Sequence, residues 1–222
     1  MLFPIKVTQP SYSRPVVTVA LIVANVLVFL HEISLDAYSL HDFMTVYSLR
    51  PNPHYFHFAN IFTAMFVHAN WLHLGGNMLF LWVFGDNVED ILGHAKFLLF
   101  YLLCGVAAAL AQTAADPLSI TPMVGASGAI AGVMGAYLLK FPRSRVEMLF
   151  FALFIFRFDL PAWFMLAYWF AVQIFSGFVS ATEASQSGTA FFAHVGGFVA
   201  GIALVYAMGA RERFSRRRDL YW

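Results

Sequence analysis

Long apolar runs separated by short polar stretches dominate this chain. The runs are too long for strands and about the right length for helices. Crossing the hydrocarbon of a bilayer takes about 20 mostly apolar residues as helix. Six runs approach that length: residues 16–30, 71–88, 97–113, 125–141, 160–179 and 191–208. Each predicts a spanning helix. Several are short, so neighbouring protein or local thinning must shield their ends. The stretch 146–158 breaks the pattern. Its Arg157, followed by Asp159, predicts an interfacial segment leading to a helix start at Pro161, where a missing amide costs little. Residues 31–70, rich in Phe and Tyr with scattered His, predict a structured outer loop lying partly in the interface. The lead 1–15 is polar and basic. No small-residue cleavage site follows it, so the first run reads as a retained span.

Composition agrees with a membrane setting. Of 222 residues, 60% are hydrophobic and 11% charged, whereas a soluble domain is nearer half apolar and a quarter charged. A soluble α/β-hydrolase is excluded. Its nucleophile elbow also needs Gly two residues after the serine, and this chain has Ala129 there. The single cysteine, Cys104, excludes an intrachain disulfide or a Cys-based zinc site. The net charge of +1 conceals an asymmetry. With a cytoplasmic N-terminus, twelve basic residues fall inside and only Arg50 outside, which predicts an even number of spans and both termini in the cytoplasm. The basic tail 210–222 reads as an anchor against anionic lipid, not as a nucleic-acid site.

This topology puts the unusual polar residues at one depth. His73 and Asn77 open the second run, Ser127 the fourth, and His194 the sixth, and all three runs begin on the outer side. His73 and Asn77 are four apart and share a helix face. Gly128, Gly132 and Ala136 make one stripe of small residues; His194, Gly197 and Gly201 make another. Such stripes let helix backbones approach closely in a membrane. A crossing along them brings Ser127 to His194.

A hydroxyl becomes a useful nucleophile when a base takes its proton, and His suits that role near neutral pH. The resulting oxyanion needs donors already in place, each typically worth about 3–4 kcal/mol of barrier. The free amides near the start of the fourth run, Gly125 included, and the side chains of His73 and Asn77 are the candidates. No carboxylate is expected in this layer, which predicts a Ser–His dyad, not a triad.

Taken singly, each feature has a plainer explanation: glycine-rich helix starts pack, His caps, and Asn bridges helices. Their coincidence at one depth favours a site, since polar groups in a membrane are costly. A metal centre is not expected. His54, His57, His68 and His73 lack the spacing of helix-borne zinc proteases, and His68 fits better as support for a neighbour. No cofactor is implied. A transporter would need polar residues along a path through the bilayer, and the inner halves of the runs are nearly all apolar.

The segments "HLGGN" (His73, Asn77), "GASGA" (Ser127) and "AHVGGFVAG" (His194) together resemble the rhomboid intramembrane serine proteases in order and spacing. "FGDNVED", with Gly85 and Glu89, resembles that family's exit from the second span. The resemblance covers roughly residues 16–208. It implies an all-α polytopic fold, a single domain over 1–222 forming a six-helix bundle, with a water-filled cavity open to the outside. A substrate helix would enter sideways near spans two and five. Ser127 would be the nucleophile, His194 the general base and acid, His73 and Asn77 oxyanion donors, and Glu89 structural. Substrates would be single-pass or polytopic membrane proteins cut in or near a transmembrane segment. The setting would be a bacterial cytoplasmic membrane. The rival reading is an inactive rhomboid-like protein that binds membrane helices without cutting them.

Two positions depart from the family pattern. A Trp-Arg pair common in the first outer loop is replaced by Ala59 and Asn60. The aromatic that some members place one turn after the serine is Ala131 here, so another group must orient His194, with Trp163 and Trp169 as candidates.

Overall fold

The computed structural model describes residues 2–151, 155–182 and 190–210. The six apolar runs all become helices: α1 (Val16–Ser34), α4 (Trp71–Leu92), α5 (His94–Ala115), α6 (Ser127–Lys140), α7 (Ala162–Thr182) and α8 (Phe191–Ala207). The outer segment supplies α2 (Ala37–Tyr47) and the single turn α3 (Asn60–Thr63). The basic tail expected at 210–222 lies, apart from Ala210, outside the described residues.

Among the described residues, three helices, α1, α5 and α7 over Ala162–Val179, are long and apolar enough to cross a membrane by themselves. The other three fall short for different reasons. α4 carries Asp86, Glu89 and Asp90 in its second half, α6 has 14 residues, and α8 is apolar but has 17. α6 is buried at every position from Gly128 to Tyr137. A helix wrapped in protein has no lipid to match, so length and hydropathy stop reporting on it.

The expected all-α fold needs one correction. Leu2–Val7 (β1), Arg145–Phe151 (β2) and Ile155–Pro161 (β3) form an antiparallel sheet in the order β1-β2-β3. The stretch expected as an interfacial segment is therefore largely a β-hairpin, and the polar lead contributes its third strand. The residues support this: in β2 the exposed Arg145 alternates with buried Val146 and Met148, a period-two pattern. Glu147 pairs across with Asp159, and Val7 pairs with Val146. The register shifts between Pro4 and Lys6, where proline has no amide for the ladder.

The expected glycine stripes meet. α6 packs most extensively against α8. A Cβ on Gly197 would run into the Gly128 carbonyl oxygen, and one on Gly201 into that of Gly132. The two backbones touch directly, which only glycine permits.

The helix ends alternate between two levels. At one, Glu89 of α4 meets the start of α1, Asn87 reaches the Gln9 carbonyl (3.2 Å), and Lys96 of α5 reaches the Met208 carbonyl after α8 (2.9 Å). At the other, the Gln112 side chain of α5 accepts from the Ala193 amide of α8 (3.2 Å). The outer segment is fastened without the Trp-Arg pair. Asn60 donates to the Ser48 carbonyl (2.7 Å), Thr63 to the Tyr47 carbonyl (2.8 Å), and Leu49 exchanges backbone bonds with Met123 (3.0 and 2.7 Å).

Candidate active site

Ser127 is the first residue of α6 and His194 lies in the first turn of α8. The close α6–α8 crossing sets their separation: Ser127 Oγ lies 2.8 Å from His194 Nε2. The other ring nitrogen, Nδ1, is 2.7 Å from Oε1 of Gln173 on α7. An amide oxygen only accepts, so Nδ1 carries the ring proton and Nε2 presents its lone pair to the serine hydroxyl. Trp169, one turn before Gln173, sets its ring 5.8 Å from the imidazole at 42°.

His73, Asn77, Gly125, Ser127, Trp169, Gln173 and His194 all line one cavity of about 670 Å³. Its remaining wall is mostly apolar, with Met65, Phe80, Ile130 and Phe191 among the lining side chains. α4 enters this level through a cap in which Asn70 Oδ1 accepts from the His73 amide (2.9 Å). That start places His73 and Asn77, one turn apart, on the cavity side. Gly125 sits against both. A Cβ there would lie 2.6 Å from His73 Nε2 and 3.3 Å from Asn77 Nδ2. Its φ of +111° also disfavours any side chain.

The expectation for Gly125 as an amide donor needs amending. Its amide already donates to the Ala64 carbonyl at 2.8 Å. Gly125 instead leaves room for His73. The first-turn amides of α6 remain without intrahelical acceptors by helix geometry, with the positive end of the helix dipole at the same spot.

Asn77 is oriented from behind. One of its amide hydrogens goes to His68 Nε2 at 2.9 Å, leaving a second donor. His68 is held in turn: Nδ1 donates to the Phe66 carbonyl (3.2 Å), and its backbone amide donates to Glu32 (3.2 and 3.3 Å). Burial first, and the neighbouring His73 second, push the His68 imidazole down to about 4, against the opposing pull of the Phe66 carbonyl. His68 is therefore neutral near pH 7, and Nε2 stays free to accept. His68 and His73 stack edge to face at 5.1 Å.

Glu32 corrects the expectation that no carboxylate lies at this level. α1 runs on to Ser34, past the Leu30 expected as its end, and carries Glu32 into the network. It meets the His68 amide, and the group on His194 Nδ1 is Gln173. Two participants were missed from sequence, Glu32 and Gln173. For Gln173 a signal existed: a lone amide inside an apolar run, four residues after a tryptophan.

Comparison with known proteins places residues 55–211 in a match to the rhomboid domain model. Rhomboid protein 1, mitochondrial, of Saccharomyces cerevisiae is 27% identical over 172 residues, covering 72% of this chain and 45% of that protein. Rhomboid-like protein 11, chloroplastic, of Arabidopsis thaliana is 43% identical over 77 residues, 35% of this chain and 27% of that protein. Rhomboid protease GluP of Bacillus subtilis is 40% identical over 78 residues, 35% of this chain and 15% of that protein. The matched stretches thus span less than half of these relatives. They come from mitochondria, chloroplasts and a bacterium, so the likeness does not support the bacterial membrane expected from sequence over the alternatives.

Proposed function

Because this chain belongs to the rhomboid family, we propose that it is an intramembrane serine endopeptidase, cutting membrane proteins in or beside a transmembrane segment with a Ser127–His194 dyad. One observation carries the reading: the 2.8 Å contact between Ser127 Oγ and His194 Nε2 beside a cavity of about 670 Å³. Six helices span the bilayer in this reading, with both termini on the basic side. The alternating helix ends and the bias of basic residues support it.

His194 takes the hydroxyl proton as Ser127 Oγ bonds to the scissile carbonyl carbon. The carbonyl becomes an oxyanion, stabilised by the second amide hydrogen of Asn77, by His73 and by the free first-turn amides of α6. Collapse of this intermediate breaks the C–N bond, and the departing amine takes the proton back from His194. Water then attacks the acyl-serine by the same route in reverse, releasing the new carboxyl end. A helical substrate carbonyl is already hydrogen-bonded, so substrates with Gly, Pro or small residues near the cut unwind and react faster.

The test is a fluorophosphonate probe together with a model transmembrane substrate in liposomes. The expected result is a phosphonate adduct mapped to Ser127, with cleavage lost in Ser127→Ala. Cleavage retained by Ser127→Ala overturns the mechanism. A wild type that binds the substrate helix but neither cuts it nor takes the probe favours the inactive rival.

A further inference from the structure

We propose that Gln173 is a positioning residue that fixes the proton on Nδ1 of His194, adding to the Ser–His dyad a third member, from α7, that orients the imidazole and takes no proton. The proposal rests on the protease reading above and deepens it.

With Ala131 one turn after Ser127, α6 supplies no ring against the imidazole. A histidine with one fixed partner can rotate about its side-chain bonds and exchange tautomers. If the proton moves to Nε2, the ring loses the lone pair that must accept from the hydroxyl. Gln173 limits that freedom: in the observed orientation its Oε1, at 2.7 Å from Nδ1, accepts from the productive tautomer. Trp169 lies one turn earlier on the same face of α7 and touches both His194 and Phe198 of α8, at 5.8 and 6.2 Å between ring centres. The tryptophan limits ring swing and the amide sets the tautomer.

Location also argues for this role. α7 is the least buried of the three long apolar helices, and its surface is otherwise dominated by Trp163, Phe164, Tyr168, Phe175 and Phe178. A half-buried amide on such a helix is costly without a partner, and its observed partner is the imidazole. Unlike a carboxylate, a neutral amide orients the ring without stabilising an imidazolium by charge. Its contribution should be smaller than the roughly 10⁴-fold lost when a buried triad aspartate is neutralised.

Three substitutions test this: Gln173→Leu and Gln173→Met remove the acceptor, and Gln173→Glu keeps one. Cleavage of a model transmembrane peptide gives kcat and KM. The labelling rate of Ser127 by a fluorophosphonate reports activation of the hydroxyl without a protein substrate. Loss of the acceptor should lower kcat and the labelling rate together, by about 10–100-fold, with KM within about 2-fold. Gln173→Glu should recover most of both rates. If Leu does not yield folded protein, Met against Glu makes the same comparison. Acceptor-free variants with wild-type kcat overturn the positioning role alone. Equal losses in Glu and Met also overturn it, because they mark a packing role. A wild type without phosphonate at Ser127 overturns both this proposal and the protease reading beneath it.

Discussion

Two polar clusters sit at opposite ends of α4. At its C-terminal end, Glu89 is fully occupied. Its carboxylate accepts from the amides of Val17 and Thr18 (both 2.8 Å) and from the Thr18 hydroxyl (2.7 Å), and it lies 2.6 Å from His94 Nδ1. It is fully buried and holds the start of α1 against the end of α4. At its N-terminal end, Ser127 faces the His194 imidazole, Asn77 keeps a donor in reserve, and the space beside them is a cavity. Both clusters are costly polar groups in an apolar chain. What separates them is saturation: a carboxylate whose acceptor sites are all consumed holds structure, and a hydroxyl and an amide left partly unspent beside open space can act on a ligand.

The sharpest break of that comparison removes the dyad. Ser127→Ala or His194→Ala should each lower kcat by about 10⁴-fold or more, and the double variant should be little worse, because the pair acts as a unit. Steady-state cleavage in liposomes reads this, and additive losses would contradict it. Glu89→Ala should do the opposite. It should cost about 3 kcal/mol of stability by stranding the buried groups around it, with kcat per folded molecule near wild type. Denaturant unfolding in micelles, paired with active-site titration, separates the two effects; a lost kcat in well-folded protein would erase the distinction between the ends. Asn77→Ala should slow kcat by about 10²-fold without abolishing it. Full turnover would remove Asn77 from the oxyanion role.

The smallest effect tests the support behind Asn77. His68 is pushed down to about 4 in the fold from a usual value of 6.5. The unfolded chain therefore takes up a proton that the native protein refuses. This contribution to stability is present above about pH 6.5 and is lost as pH falls toward 4. Between pH 7 and pH 5 the loss from this group should be about 2 kcal/mol. His68→Gln should flatten that part of the pH–stability curve. An unchanged curve in the variant would assign the acid sensitivity elsewhere.

The candidate site was legible in sequence to the extent that it depended on depth. Ser127, His194, His73 and Asn77 stand at helix starts, and helix starts alternate between the two levels, so a shared level follows from counting runs. The α6–α8 contact was legible for a similar reason, since four-residue glycine spacing marks one face whatever the neighbour is. Gln173 was legible only as a lone amide in an apolar run, not as a partner of His194, because it stands far along a helix whose start lies at the opposite level. Its bond to His194 depends on the rotation of α7 about its own axis. Glu32 was hidden by a helix that outruns its apolar stretch. The sheet was hidden because β1 and β2 stand far apart in the chain, and neither strand shows that it has a partner.

The sequence alone determined that several helices are apolar enough for a membrane, where the main helices lie, and that the serine and histidine stand at helix starts. These follow from hydropathy, charge and the 1.5 Å helical rise, which act locally along the chain. Tertiary structure decided which ring nitrogen faces the hydroxyl, that the amide of Gly125 is already used, and that α7 supplies a partner for the imidazole. Those are contacts between segments far apart in sequence. They depend on helix rotation and crossing at the scale of a single hydrogen bond, which no local pattern specifies.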